Sequence, residues 1–167
     1  MGWSFAGKME IMASSNLNVF VHGVLVSIEN TGVLIMGESG VGKSDCALDL
    51  VLAGHKLVAD DVVAVERSGD GLFGRAPERF SALLTIRGIG IVDVRKISGG
   101  DGYQKKHKID ICVDFRDRNN WENANEIEIM GVKIPIYAIP AARRRNQFAL
   151  AETVKKHNGP FLTVDEI

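Results

Sequence analysis

Four apolar residues, Val33-Leu34-Ile35-Met36, run straight into Gly37-Glu38-Ser39-Gly40-Val41-Gly42-Lys43-Ser44, and a helical pattern begins where that octapeptide ends. The octapeptide fits G-x-x-x-x-G-K-[ST], a pattern that carries meaning only between a strand and a helix, and both flanks are present. Successive backbone N–H groups in a glycine-rich turn converge on one point. Together with the positive end of the next helix they form an anion site of phosphate size. Gly37 and Gly42 let the backbone turn without a Cβ in the way, while Glu38, Ser39, Gly40 and Val41 complete the cradle. Lys43 reaches terminal phosphates as a point charge, and Ser44 offers a hydroxyl to Mg²⁺. A fold that presents such a loop is an α/β fold.

The rest of the chain is consistent with one mixed α/β domain over 19–167, a mixed sheet with flanking helices, preceded by an arm or leader over 1–18. Residues 19–28 are β-branched and apolar, and Glu29-Asn30-Thr31-Gly32 closes them as a turn, which predicts a hairpin with 33–36. Ala47, Leu48, Val51 and Leu52 form an apolar stripe at helical spacing over 43–53, stopped by Gly54. Leu57-Val58-Ala59 reads as a buried strand running into Asp60-Asp61, and 62–66 continue extended. A short strand at 72–76 precedes a short helix opened by Pro77 and reaching about Leu84. The glycine-rich, basic run 98–108, with Lys105, Lys106, His107 and Lys108, reads as a mobile solvated loop. Strands follow at 109–115, 126–130 and 133–139. A last helix spans 147–157, with Asn146 as N-cap and Asn158-Gly159-Pro160 as its end.

Composition narrows the function classes. The chain has 167 residues, enough for a real core, and a net charge of −1, which argues against a strongly basic nucleic-acid binder. No stretch approaches the roughly 20 apolar residues that span a bilayer. Glu10 interrupts the apolar part of the first residues, so they do not form a secretory signal, and Ala6 stands where a myristoylation motif wants Ser or Thr. Cys46 and Cys112 lie far apart with no second pair, which predicts two reduced, buried thiols and a cytoplasmic protein.

A phosphate loop needs an acid to organise magnesium and a group to act on the nucleophile. Asp60 and Asp61 follow the strand after the helix, where a parallel neighbour of the 33–36 strand would end beside the loop. Adjacent strand residues point to opposite faces, so one carboxylate faces the metal and the other elsewhere unless the backbone bends. Two acids at the end of a buried strand are costly without partners.

VHGVLVSI, GESGVGKSDCALDLVLAGHKLVADD and LLTIRGIGIVDV resemble, in order and spacing, the catalytic C-terminal domain of the HPr kinase/phosphorylase family, and GVKIPIYAIP with Arg145-Asn146 resembles its last strand and Gly-Arg-Asn. The resemblance implies a P-loop domain related to phosphoenolpyruvate carboxykinase. It also implies a serine kinase that uses ATP or pyrophosphate on the phosphocarrier protein HPr and reverses the reaction by phosphorolysis. Carried over by position, Asp60 would be the acid/base and Asp61, with Ser44, would place Mg²⁺. His22 would lie near Asp60 and the reacting phosphate, and Arg145 would contact phosphate or the protein substrate. A homo-oligomer, a hexamer, is implied as well. Arg87-Gly88-Ile89-Gly90 belongs to the same signature; a dinucleotide fingerprint is not supported there, because the third glycine is missing.

Three features depart from the family. Thr85 stands where the signature has Glu, an acid thought to assist the metal. The family's separate N-terminal domain has no counterpart, which fits either a short natural form or a cut fragment. The segment after Asn146 is shorter than the family's terminal helices, which help to build the hexamer and the HPr surface. Two other readings remain open on the residues alone: a P-loop kinase of another substrate, and a non-catalytic nucleotide or phosphate sensor.

Overall fold

The computed structural model describes residues 9–10, 18–116, 126–140 and 146–158. In chain order the elements are β1 (Met9–Glu10), β2 (Asn18–His22), β3 (Val24–Ile28), β4 (Thr31–Gly37), α1 (Lys43–Leu52), β5 (Lys56–Ala59), β6 (Val62–Ser68), β7 (Gly71–Arg75), β8 (Leu83–Ile86), β9 (Gly90–Asp93), α2 (Val94–Ile97), β10 (Lys106–Lys108), β11 (Ile111–Arg116), β12 (Glu126–Ile129), β13 (Val132–Pro140) and α3 (Asn146–Asn158). A six-stranded mixed sheet runs β12-β13-β11-β4-β3-β5, and a five-stranded antiparallel sheet runs β1-β2-β6-β7-β10. β8 and β9 form a separate ribbon.

Alternation along β4 explains the layering. Val33 and Ile35 pack with Cys46, Ala47, Leu50 and Val51 of α1 and with Leu150 and Val154 of α3. Leu34 and Met36 face the other way, into a second core shared with Val63, Val65 and Leu72 of the five-stranded sheet. A strand covered on both faces reads as a continuous apolar run, which is the pattern seen in the sequence. The six-stranded sheet is thus the middle of three layers.

Several expectations change. The run 19–28 is not one strand. It breaks at Gly23 and passes from the five-stranded sheet (β2) to the six-stranded one (β3). A Cβ on Gly23 would lie 2.6 Å from the Ile35 carbonyl oxygen, so only glycine lets the chain cross there. The hairpin with 33–36 forms as β3–β4. The helix expected after Pro77 shrinks to one 3₁₀ turn, Glu78–Phe80, and the chain turns extended by Leu83 through a left-handed Ala82. Within 98–108, residues Lys106–Lys108 form an edge strand against β7. Earlier in that run Leu57 donates to the Gly102 carbonyl at 2.8 Å, and Gln104 donates back to Leu57 at 2.9 Å, stitching the run to β5. Met9–Glu10, inside the expected arm, pair with β2. Both cysteines are free and buried, and burial pushes each thiol up to about 12, which leaves them unreactive.

Candidate phosphoryl-transfer site

The loop between β4 and α1 has the backbone that its glycines predict. Gly37, Gly40 and Gly42 all take positive φ, at 146°, 82° and 106°. Gly42 caps α1 without any side-chain bond, so the helix's first N–H groups are left to face a ligand. Lys43 is buried, and its Nζ donates to the carbonyls of Gly37 at 2.7 Å and Glu38 at 2.8 Å. The ammonium is thereby held across the loop, with the chain folded around it. Ser44, one residue on, donates its Oγ–H to Asp60 Oδ1 at 2.8 Å.

Asp60 and Asp61 sit where the chain leaves β5, in one sheet, for β6, in the other. The β2–β3 crossover at His22-Gly23 lies against them: Gly23 N–H donates to the Asp61 carbonyl at 3.0 Å. Asp61 takes φ of 65°, and Val62 N–H closes onto the Asp60 carbonyl at 2.7 Å. This tight bend turns the two carboxylates apart. Asp60 is buried, with Oδ1 taken by Ser44 and Oδ2 by the Thr85 N–H at 2.9 Å. Burial raises its carboxyl above the ordinary aspartate range, against the lowering pull of the Thr85 and Ser44 donors. The Asp61 side chain is 72% exposed, and its Oδ1 lies 3.3 Å from His22 Nδ1. His22 Nε2 is buried with no hydrogen-bond partner among the described residues.

These pairings differ from the expected ones. Asp60 was expected beside His22, and Asp61 beside Ser44; the geometry joins Asp60 to Ser44 and Asp61 to His22. Nor is β5 the parallel partner of β4. β3 lies between them, antiparallel to both. β5 still runs in the direction of β4, so its acids reach the loop's end of the sheet. The parallel partner of β4 is β11, which brings buried Asp114 level with Met36.

The ribbon β8–β9 completes the surroundings. Its first strand holds Asp60 through the Thr85 N–H, while the Thr85 side chain is exposed. At its turn, Arg87 reaches the loop: a Cβ on Gly40 would lie 3.6 Å from Arg87 Nη1 and 3.8 Å from Nη2. Sequence reasoning placed Arg87 in a signature without a role and did not foresee the Thr85 N–H contact. A backbone donor leaves no mark in residue identity. Arg145 lies outside the described residues.

The basic run lies elsewhere. Lys106, His107 and Lys108, with Asn30, Phe73, Gln104 and Asp110, line a shallow cavity of about 480 Å³ at the amino end of β4, away from the phosphate loop. Several of its groups are already engaged: Lys106 with Glu66 and the Phe73 ring, and Asp110 with Gly32 N–H at 2.7 Å.

Magnesium fits the donors at the loop. Ser44 Oγ and the Asp60 carboxylate are hard oxygen donors held side by side, and Mg²⁺ ordinarily takes one or two protein oxygens and fills its shell with phosphate and water. Among the described residues no group of three or more His, Cys, Asp or Glu side chains is placed to hold a metal by itself. No helix among the described residues is long and apolar enough to cross a membrane.

Comparison with known proteins agrees with the fold. The family described as HPr Serine kinase C-terminal domain matches residues 13–159. An HPr kinase/phosphorylase of Streptococcus thermophilus is 42% identical over 159 residues, covering 89% of this chain and 52% of the relative. One from Caldicellulosiruptor bescii is 40% identical over 148 residues, covering 82% of this chain and 47% of the relative. This chain therefore spans about half the length of the curated relatives it matches. The solved Hpr(Ser) kinase/phosphatase from Coxiella burnetii superposes with a TM-score of 0.78 at 28% identity, over 83% of this chain and 95% of that one. The mixed α/β fold with its phosphate loop is that of these kinases, and the chain belongs to the HPr serine kinase C-terminal domain family.

Proposed function

We propose that the protein transfers a phosphoryl group from ATP or pyrophosphate to a serine of an HPr-like phosphocarrier protein and reverses the transfer by phosphorolysis. The observation that carries this reading is the meeting of both sheet crossovers at the phosphate loop. One acid is bonded to the loop's own serine, and the next residue is open to solvent beside a histidine. A serine on a folded protein arrives from solvent, so the group that takes its proton needs to be accessible. Asp61 meets that need, whereas Asp60 is buried with both oxygens engaged. The geometry therefore favours exchanging the roles implied by the resemblance: Asp61 as acid/base and Asp60, with Ser44, as the magnesium ligand.

In the forward direction Asp61 accepts the serine Oγ–H proton as Oγ bonds to phosphorus and the bond to the leaving phosphate oxygen breaks. In reverse it returns that proton to the serine oxygen. His22 Nδ1 holds the Asp61 carboxylate. Lys43 and the loop N–H groups carry the charge of the transferring phosphates. Ser44 and Asp60 would hold magnesium, which would supply neutralisation of phosphate charge. Arg145 remains assigned to phosphate or substrate contact by resemblance. A cytoplasmic setting and a hexameric assembly belong to the same reading.

Incubation with Mg²⁺, either donor and a purified HPr-like protein tests it. Phosphoserine on the carrier, removed again by inorganic phosphate, is the expected result. A phosphorylated small molecule, or donor binding without turnover, overturns it.

A further inference from the structure

Arg87 is a cation with no assigned task. It stands at the turn of the β8–β9 ribbon, exposed, with its guanidinium packed toward Gly40 at the mouth of the phosphate loop. No hydrogen bond or ion pair joins it to any other described residue. Three acids of the site and ribbon have other neighbours: Asp60 accepts from Ser44 and Thr85, Asp61 lies beside His22, and Asp93 pairs with Arg95. The ribbon does not hang freely. The Thr85 N–H fixes it to Asp60, and Leu84 and Ile86 anchor its inner face in the core. Gly88 and Gly90 follow with φ of 81° and 113°, a turn that presents Arg87 on the loop side.

We infer that Arg87 is a phosphate-contacting catalytic residue, a guanidinium supplied from within the chain to the phosphoryl group as it moves between donor and serine. The inference rests on the proposed phosphoryl transfer and deepens it. Lys43 is drawn into the loop by the Gly37 and Glu38 carbonyls and acts from below, whereas Arg87 acts from the solvent side. A planar fork of N–H donors suits equatorial phosphate oxygens that carry shared charge during an in-line transfer. The step needs no added reactant: the serine oxygen–phosphorus bond forms, the bond to the leaving phosphate oxygen breaks, and Arg87 exchanges no proton. A Cβ at Gly40 would make ordinary van der Waals contact with the guanidinium, which places Arg87 directly against the loop.

The test uses the whole chain with Mg²⁺. Arg87→Met should lower the rate of serine phosphorylation by roughly 10³-fold, the low end for loss of a transition-state arginine. It should weaken calorimetric pyrophosphate binding by about tenfold, the loss of one charge-assisted contact, and leave the melting temperature unchanged. Arg87→Lys should restore pyrophosphate binding but only part of the rate, because the fork is lost. Guanidinium ion added to Arg87→Ala should raise its rate. Parent-like rate and pyrophosphate binding in Arg87→Met overturn the inference and leave the proposed function standing. A fall in rate matched by a fall in melting temperature, with no guanidinium rescue, also overturns it and makes Arg87 a packing residue. Weakened pyrophosphate binding in a protein that phosphorylates no serine supports the phosphate contact and overturns the proposed acceptor instead.

Discussion

The two ends of β4 are built to opposite rules. At its amino end, polar groups are paired off. Asp110 accepts from Gly32, His107 Nδ1 lies 2.6 Å from the Lys108 carbonyl, and Asn158 donates to Thr31 at 2.6 Å. At its carboxyl end the rules are broken together. Asp60 is a buried acid, Asp61 is left-handed without being glycine, His22 Nε2 has no described partner, and Arg87 faces the loop with no ion-pair partner among the described residues. One strand, buried on both faces, supports both ends. Local inconsistency gathered at one of them marks where binding and chemistry set the residues rather than packing.

Breaking that contrast at the reactive end should have the largest effect. Asp61→Asn keeps the shape and removes the base, so serine transfer should fall roughly 10²–10⁴-fold, about 3–5 kcal/mol of barrier, in both directions with donor affinity intact. Rates for forward transfer and phosphorolysis, with a binding isotherm, decide it. If Asp61→Asn matches the parent and Asp60→Asn shows the loss, the roles return to those implied by resemblance.

The amino end should respond in stability alone. A Cβ on Gly32 would lie 1.7 Å from the Lys108 carbonyl oxygen and 2.7 Å from His107 Nδ1. Gly32→Ala should therefore cost about 1–3 kcal/mol, read as a lower denaturation midpoint, with transfer per folded molecule unchanged. A large loss of turnover at unchanged stability would mean that this end shares in function.

Thr85→Glu sharpens the comparison at smaller scale. The side chain is exposed beside the acid that its own N–H holds. An added carboxylate there should lower the Mg²⁺ needed for half-maximal rate, by less than about tenfold. Equal midpoints and equal rates would remove position 85 from the metal's surroundings.

The smallest effect expected is on pH dependence. Folding raises the carboxyl of Asp60, so its ionised form is disfavoured in the native state. Native stability from this group is fully present below the ordinary aspartate range and declines as pH rises through the raised value. The melting temperature of Asp60→Asn minus that of the parent should grow over this interval and stay level below it. A flat difference would mean that burial of Asp60 carries no net penalty.

Much of this molecule was legible in residue order. The phosphate loop was readable because its donors, glycines, lysine and serine are contiguous and their conformation is local. The β3–β4 hairpin was readable because an apolar run, a Glu29-Asn30-Thr31-Gly32 turn and a second apolar run follow one another directly. α1 was bounded by its apolar stripe and Gly54. The break at Gly23 left only one glycine as its sign, since the reason for it is the Ile35 carbonyl on another strand. The partners of Asp60 and Asp61 were beyond sequence reasoning. A strand's alternation says that neighbouring carboxylates part, but not which way each turns. That was decided by the left-handed Asp61, tied through its carbonyl to Gly23 N–H, and by a ribbon that brings the Thr85 N–H to Asp60 and Arg87 to the loop. Covalent order determines what lies within a turn's reach along the chain; which distant backbone donates to which carboxylate is set only when sheets and ribbon pack.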